Sequence, residues 1–344
     1  MQKLFLFALL LFAFSFKPGE PPCEEIRLRD KALFPVGAAV NTDKLKNEEN
    51  YWKIVPVQFN SLTPERIMKP AYLHPQKDKY NFFETDHLMD FCKQFKIRLH
   101  GHTLIWHKSL PEWMETFKGN KTEWEALMKE HIQTIIHHCK GTIKSWDVVN
   151  EAFNDDGTLR KNIWLKNIGE SYIEKAFLYA SEADSTAKFF YNDYSLEKHG
   201  EKFGAVIAFL KGLKAKGIKV DGVGMQMHVA LDYPVITDID AAAMHLQEEG
   251  FLVHYSEVDI SIRAGQSIFA KRSNLLALQK QRIKAITSGF MKLKQAYRFG
   301  ITFWGVSDND SWLTEESLRA MPLLYDASYK IKPMYCGFVE ALEN

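Results

Sequence analysis

Cysteine is scarce in this sequence, with four in 344 residues. Structural metal sites use closely spaced pairs of ligands, and none of Cys23, Cys92, Cys139 and Cys336 lies close to another. The cysteine spacing therefore predicts no metal site. Cys92 and Cys139 fall within helical patterns, so we expect buried thiols there, while the sequence leaves open whether any two cysteines form a disulfide.

An excess of charge of either sign is also lacking. The 44 lysines and arginines nearly balance the 43 aspartates and glutamates, which leaves a net charge of +1. No overall field then favours nucleic acid or an acidic membrane surface, and we expect a neutral partner rather than nucleic acid. Low-complexity tracts and Pro/Ser-rich linkers are absent from Ile26 to Asn344, which predicts one domain without an appended module.

The one long apolar run lies at the N-terminus, from Leu4 to Phe14, and a Pro/Gly-rich breaker, Lys17-Pro-Gly-Glu-Pro-Pro22, follows it. A charged start and a short apolar segment are typical of a secretory signal and are too short for a stable membrane span. We predict residues 1–16 as a signal peptide and residues 17–344 as a mature domain, exported to the periplasm or the medium, without a membrane anchor and monomeric. The alternative is a buried N-terminal strand or helix, which the breaker disfavours.

Apolar strand-like runs alternate with helical periodicity along the rest of the chain. The predicted strands are Phe34–Val40, Val55–Ser61, Ile97–Trp106, Ile143–Asn150, Lys188–Asp193, Gly222–His228, Leu252–Asp259 and Gly300–Val306. The predicted helices are Glu84–Phe95, Glu123–Cys139, Ser171–Ala183, Lys202–Lys216, Ile239–Glu249 and Leu275–Arg298. Only the connection Asn41–Ile54 has no clear pattern. This alternation predicts an α/β fold, a single (β/α)8 barrel.

Polar residues gather where the predicted strands end. They are Asn60, His102, Asn150, Glu151, Asn192, Asp193, Gln226, His228, Glu257, Asp259 and Trp304. In a (β/α)8 barrel the carboxyl ends of all strands converge on one face, so these side chains are expected to share one site. Two of them, Glu151 and Glu257, are the pair of carboxylates that hydrolysis of a glycosidic bond requires. A surface charge or a barrel-end ion pair is the structural alternative for either glutamate.

Several longer motifs occur in a fixed order from about Phe34 onward. They are Gly37-Ala-Ala-Val40, Phe59-Asn-Ser-Leu-Thr-Pro-Glu65 with Met68-Lys69, His100-Gly-His-Thr-Leu-Ile-Trp-His107, Trp146-Asp-Val-Val-Asn-Glu-Ala152, Tyr191-Asn-Asp-Tyr194, Gly224-Met-Gln-Met-His228, Ser256-Glu-Val-Asp259, and Trp304-Gly-Val-Ser-Asp308 with Ser311-Trp312. As a set they resemble glycoside hydrolase family 10, the (β/α)8 endo-β-1,4-xylanases.

The resemblance implies a retaining double displacement on the xylan backbone or on xylo-oligosaccharides, which needs neither a cofactor nor a metal. Glu151 is expected to be the acid/base and Glu257 the nucleophile, with carboxyl groups about 5–5.5 Å apart. An ionised Glu257 is expected to raise the pKa of Glu151, which keeps Glu151 protonated in the free enzyme. The resemblance also implies a cis peptide bond after His102.

The resemblance further implies a set of substrate-binding residues. Glu65, Lys69, His102, Trp106 and Gln226 match positions for the non-reducing-side sugars, Asn150 the donor to a sugar 2-hydroxyl, Tyr194 a wall on the leaving-group side, and Trp304 and Trp312 aromatic walls. His228 and Asp259 match a pair in which Asp259 orients the imidazole and the imidazole keeps Glu257 ionised. Core packing is the alternative for the tryptophans, and a satisfied buried polar pair is the alternative for His228 and Asp259.

One stretch departs from the family pattern. Where the family reads Glu-Asn-Glu-Met-Lys-Trp, this chain reads Glu65-Arg-Ile-Met-Lys-Pro70. Arg66 either narrows a non-reducing-side subsite, pairs with a carboxylate on an acidic side group, or folds into solvent. Two alternatives to a xylanase therefore stay open. One is the same machinery acting on short or decorated xylo-oligosaccharides or on another β-glycoside, and the other is an inert barrel that only binds glycan.

Overall fold

Parallel strands form the inner wall of the molecule. The computed structural model describes residues 22–262, 270–314 and 320–343, so the predicted signal peptide lies outside the described residues. The strands are β1 (Val36–Val40), β2 (Ser61–Pro64), β3 (Arg98–Leu99), β4 (Ser145–Asn150), β5 (Lys188–Asp193), β6 (Gly222–Met225), β7 (His228–Ala230), β8 (Leu252–Ser261) and β9 (Arg298–Phe303). They pair in parallel in the order β3-β2-β1-β9-β8-β6-β5-β4, and the short β7 pairs with β8.

The two ends of this sheet meet and close a barrel. Gly101 and Ile105, which follow β3, bridge in parallel to Trp146 and Val149 of β4. The close approach requires glycine, because a Cβ atom at Gly101 would lie 2.1 Å from the Trp146 ring. The predicted (β/α)8 fold is therefore confirmed.

Helices cover the outside of the barrel. They are α1 (Leu28–Lys31), α2 (Thr42–Asn47), α3 (Glu49–Gln58), α4 (Pro70–Leu73), α5 (Phe83–Gln94), α6 (Glu112–Glu115), α7 (Lys121–Cys139), α8 (Ile163–Ile168), α9 (Tyr172–Ala183), α10 (Glu201–Ala215), α11 (Ile236–Glu248), α12 (Arg272–Met291) and α13 (Pro333–Ala341). In α9 the buried residues Ile173, Ala176, Phe177 and Ala180 recur at the helical period, so one face packs on the barrel. Among the described helices, none has the length and apolar character to span a membrane.

The second predicted strand, Val55–Ser61, is wrong. Val55 belongs to helix α3, and strand β2 begins only at Ser61. The run Ile54-Val-Pro-Val57 has the composition of a strand, but Tyr51 and Val55 are fully buried one helical turn apart, whereas Val57 is 41% exposed. Packing of this helical face on the barrel outweighs the local preference of β-branched residues for strands.

Three other predicted elements are shorter or divided. The predicted strand Ile97–Trp106 keeps only Arg98–Leu99 as regular strand. The predicted strand Gly222–His228 is divided into β6 and β7, because Met227 has a left-handed backbone with φ 65° that a strand does not include. Helix α12 ends at Met291 rather than at Arg298, where β9 already begins.

A disulfide joins the beginning and the end of the described chain. Cys23 and Cys336 are bonded across 313 residues, with their Cα atoms 5.3 Å apart. Cys92 and Cys139 are free and buried, as predicted. The disulfide therefore ties the turn before α1 to the terminal helix α13.

Candidate active site

The carboxyl ends of the barrel strands surround a cleft of about 620 Å³. Every residue predicted as catalytic or substrate-binding lines it. These residues are Glu65, Lys69, His102, Trp106, Asn150, Glu151, Tyr194, Gln226, His228, Glu257, Trp304 and Trp312. The barrel therefore brings together side chains that lie up to about two hundred and fifty residues apart, because parallel strand ends converge on one face.

Glu151 directly follows the fully buried strand β4 and is 8% exposed. Its left-handed backbone, with φ 54°, turns the chain out of the strand, and its N–H donates to the Asn192 carbonyl oxygen at 2.9 Å. Gln226 Nε2 donates to Glu151 Oε1 at 3.1 Å. The adjacent Asn150 accepts at Oδ1 from Asn192 Nδ2 at 2.8 Å. These contacts fix the carboxyl group at the cleft wall.

Glu257 lies within β8 and has a hydrogen-bonding neighbour on each carboxylate oxygen. Asn192 Nδ2 donates to Oε1 at 2.7 Å, and His228 Nε2 lies 3.3 Å from Oε2. On its other side, His228 Nδ1 lies 2.8 Å from Asp259 Oδ2. Asp259 therefore lies behind the histidine, in contact with the ring nitrogen that faces away from Glu257.

Asn192 is a site residue to which the sequence assigned no role. Ser256 Oγ donates to its Oδ1 at 2.6 Å, so its amide nitrogen faces Glu257. Gly224 on the next strand leaves the necessary room, because a Cβ atom there would lie 2.1 Å from Asn192 Oδ1. The position of Asn192 at the end of β5, which matches that of Asn150 on β4, was the available signal.

His228 lies between the carboxyl groups of Glu257 and Asp259. Burial disfavours the charged imidazole, but Asp259 and Glu257 on either side outweigh burial and raise the pKa of His228 well above its usual value. A protonated His228 places a positive charge beside the Glu257 carboxyl group, with Nε2 3.3 Å from Oε2.

The expected pKa shift of Glu151 has the opposite sign in the structure. Burial opposes ionisation, but hydrogen bonds from Gln226 and Trp106 and the charge of Lys108 outweigh it and hold the pKa of Glu151 below its usual value. The sequence-based expectation counted only repulsion from Glu257, and the donors around Glu151 were not visible in the sequence.

His102 is oriented by a carboxylate that the sequence analysis did not single out. Asp147 Oδ2 lies 2.9 Å from His102 Nδ1, and Asp147 Oδ1 lies 3.1 Å from His100 Nε2. Burial opposes ionisation of Asp147, but the two histidines hold its pKa well below its usual value. The bond between His102 and Thr103 is cis, as the family resemblance implies.

Aromatic rings form two walls of the cleft. Trp304 is 9% exposed, and its ring lies edge-on to His102 with centroids 5.3 Å apart. Trp312 is 41% exposed, and its Nε1 donates to Asp259 Oδ2 at 3.0 Å. The Lys69 ammonium lies 4.9 Å from the centre of the Trp106 ring. Trp304 and Trp312 therefore face the cleft instead of serving only as core.

The side of the cleft around Tyr194 contains lining residues that sequence reasoning missed. The missed residues over the whole cleft are Lys108, Ser195, Glu197, Lys198, Val229, Ala230, Tyr233, Pro234 and Ser261. Most of them lie in loops after strands, where no hydrophobic period marks a position.

Arg66 lies apart from the catalytic pair. Its side chain is exposed and lines a separate cavity of about 230 Å³ with Asp43, Tyr72 and Glu84. Among the described residues that line the main cleft, Glu65 and Lys69 occur but Arg66 does not. The departure from the family pattern at Arg66 therefore lies outside the described lining of the cleft.

Comparison with known proteins agrees with this geometry. The family model described as Glycosyl hydrolase family 10 matches residues 26–341. The chain is 38% identical over 90% of its length to Endo-1,4-beta-xylanase A of Caldicellulosiruptor sp. (strain Rt8B.4), and it spans 46% of that relative and less than a third of two further ones. It is 36% identical to Beta-1,4-xylanase of Dictyoglomus thermophilum, with 97% of each chain covered.

A solved structure has the same fold. Xylanase 10B from Thermotoga petrophila RKU-1 in complex with xylobiose superposes with a TM-score of 0.87 at 35% identity, and the match covers 92% of this chain and 97% of that one. Both the family model and these relatives extend over nearly all of the described barrel. This chain belongs to glycosyl hydrolase family 10.

Proposed function

We propose that this protein is a retaining endo-β-1,4-xylanase that cleaves the backbone of xylan or xylo-oligosaccharides. The observation that carries the proposal is the pair of buried glutamates in one cleft, each with its own donors. Glu257 has Asn192 at 2.7 Å and the imidazolium of His228 at 3.3 Å. Glu151 has the amide of Gln226 at 3.1 Å. Relatives with xylanase names, and the neighbour solved with xylobiose, support the choice of sugar.

The two environments suit different steps of the reaction. Glu257, which has His228 beside it, attacks the anomeric carbon while Glu151 gives its proton to the leaving oxygen. A sugar in the cleft removes water from Glu151, and this desolvation favours the protonated form that the step needs. Once Glu257 is esterified its charge is gone, and Glu151 takes a proton from the attacking water.

Export is a further part of the proposal. The N-terminal segment 1–16 has the pattern of a secretory signal, and the Cys23–Cys336 disulfide suits an oxidising compartment. Expression of the full chain in a bacterium, followed by fractionation and N-terminal sequencing, tests it. We expect a processed protein outside the cytoplasm that begins after residue 16, and an uncleaved cytoplasmic protein would contradict export.

The activity is tested with end-labelled β-1,4-xylohexaose. The unaltered protein is expected to make internal cuts, and Glu257→Ala is expected to make none. Glu248→Ala, which removes an exposed glutamate of α11, is the matched control and should cut like the unaltered protein.

Three results would change the proposal. Cuts only at a chain end would show exo cleavage rather than endo cleavage. Full activity of Glu257→Ala would show that Glu257 is not the nucleophile. Activity on another β-glycoside but not on xylohexaose would favour altered subsites, and Arg66→Asn would then be expected to restore cutting of long undecorated chains.

A further inference from the structure

Arg160 contacts both Glu151 and Tyr194 from behind the cleft. It lies between β4 and α8, is half-buried, and is not among the described residues that line the cleft. Its Nε donates to the Glu151 carbonyl oxygen at 3.0 Å, and its Nη2 donates to the Tyr194 hydroxyl at 2.5 Å. One guanidinium thus connects the backbone of the proposed acid to a wall of the cleft.

The backbone of Glu151 needs such support. Its φ of 54° is a left-handed conformation that a residue other than glycine keeps only when its surroundings impose it. The N–H of Glu151 is bonded to the Asn192 carbonyl at 2.9 Å, and the next N–H, of Ala152, donates to the Tyr191 hydroxyl at 3.0 Å. Arg160 supplies the bond to the carbonyl between them.

Tyr194 is held from two directions. The buried Lys202, which pairs with Asp193 at 2.6 Å, lies 3.5 Å from the centre of the Tyr194 ring. Arg160 holds the hydroxyl, and its Nη2 also donates to the Phe153 carbonyl at 3.2 Å. A planar guanidinium serves these separate acceptors at fixed angles, which a lysine ammonium does not.

We propose that Arg160 is a positioning residue for departure of the leaving group in the proposed xylanase reaction, on which this inference rests. It keeps the Glu151 carboxyl group at the glycosidic oxygen while Tyr194 holds the departing sugar. In that step Glu257 forms a bond to the anomeric carbon, the bond from that carbon to the leaving oxygen breaks with its electron pair, and the Glu151 proton moves to the leaving oxygen. Loss of Arg160 misaligns the proton transfer and spares the attack.

The test compares two leaving groups in an Arg160→Met variant. Xylohexaose leaves as a sugar that needs a proton, whereas 2,4-dinitrophenyl β-xylobioside releases a stable anion that does not. We expect kcat/KM on xylohexaose to fall about 10- to 100-fold, and kcat/KM on the aryl glycoside to stay within about 3-fold. Arg27→Met, at an exposed arginine, is the control and should change neither value.

Two conservative variants keep the test decisive if Arg160→Met does not fold. Arg160→Lys retains charge without the fork, and Tyr194→Phe removes only the hydroxyl partner; both are expected to lose activity selectively on xylohexaose. The Arg160→Lys and Tyr194→Phe losses should also combine to less than their product, because they share one contact.

Different results would contradict the role of Arg160 and the xylanase activity. Equal losses on both substrates, or no loss on xylohexaose in folded variants, would overturn the role of Arg160 alone. Inactivity of the unaltered protein on xylohexaose would overturn the proposed function and this inference with it.

Discussion

Glu151 directly follows the buried strand β4 and Glu257 lies within the buried strand β8, yet their neighbours differ. Glu257 faces the amide of Asn192 and a cationic His228, so its carboxylate is stabilised from both oxygens. Glu151 faces two neutral donors, Gln226 and Trp106, and the charge of Lys108. A nucleophile must stay ionised and a proton donor must exchange its proton, so the difference in neighbours suits the proposed difference in role.

Asn192→Ala removes one hydrogen bond to Glu257. Bonds to a charged group contribute about 1.5–3 kcal/mol, so we expect kcat/KM on xylohexaose to fall about 10- to 150-fold. Asn167→Ala is the matched control, because the Asn167 side chain bonds only within helix α8, to the Ile163 carbonyl at 2.8 Å. A folded Asn192→Ala enzyme with activity within a few-fold of the unaltered protein would show that His228 alone is sufficient.

Lys108→Met is expected to move the alkaline limb of the pH dependence of kcat/KM to higher pH. Lys108 stabilises the ionised form of Glu151, so its removal raises the pKa of Glu151. The acid then stays protonated to higher pH, and the alkaline limb of kcat/KM, which reports the free enzyme, moves to higher pH. Lys118→Met removes an exposed lysine outside the cleft lining and should leave the limb in place. An unmoved limb for Lys108→Met would contradict the electrostatic role.

Helix α7 shows how local sequence fixes an element. Asn120 Oδ1 accepts from the Glu123 N–H at 3.1 Å, and Glu123 Oε2 accepts from the Asn120 N–H at 2.7 Å, which is a capping box. The buried residues of the helix lie on one apolar side, and the last of them, Cys139, is about five turns after the cap. The cap begins the helix on the exposed surface, and packing stabilises the rest.

Asn120→Ala is expected to lower the free energy of unfolding by about 1 kcal/mol, because two N–H groups lose or weaken their partners. For a chain of this size that corresponds to a fall of about 1–2 °C in the thermal midpoint. The measurement is a thermal unfolding curve beside that of Lys121→Ala, an exposed neighbour without a capping role. Reduced kcat/KM at an unchanged midpoint would be inconsistent with a purely structural cap.

The sequence predicts an element well where its pattern and its packing agree. Helix α9 keeps the predicted bounds within one residue, because its apolar period matches the face that packs on the barrel. The run around Val55 has the β-branched composition of a strand, and only its packing on the barrel surface favours the helix. The polar residues at strand ends were predicted because strand ends converge by topology. Glu65, Lys69, Trp106, Tyr194 and Trp312 were implied only by the resemblance to glycoside hydrolase family 10. The donors that set the pKa of Glu151 come from other strands and loops, which a single sequence does not order in space.

At the scale of the whole molecule, the Cys23–Cys336 disulfide joins two cysteines that are 313 residues apart in the sequence. Next to Cys336 in α13, the Tyr335 hydroxyl donates to the Ile26 carbonyl oxygen at 2.5 Å. This hydrogen bond joins the same two segments of the chain as the disulfide. A cross-link over a long loop stabilises mainly by restricting the unfolded chain. The bond is therefore expected to affect stability and not the cleft at the carboxyl ends of the strands.

The double variant Cys23→Ser/Cys336→Ser is expected to be about 2–4 kcal/mol less stable, with a thermal midpoint about 3–6 °C lower. Reductant should lower the midpoint of the unaltered protein by a similar amount and leave that of the variant unchanged, so each protein is its own control. Thiol titration in denaturant should find only Cys92 and Cys139 in the unaltered protein before reduction, and all four cysteines afterwards. Because Cys23 and Cys336 lie outside the cleft lining, kcat/KM on xylohexaose at room temperature should be the same for both proteins. Four titratable thiols before reduction would show that the turn before α1 and helix α13 are held together without the disulfide.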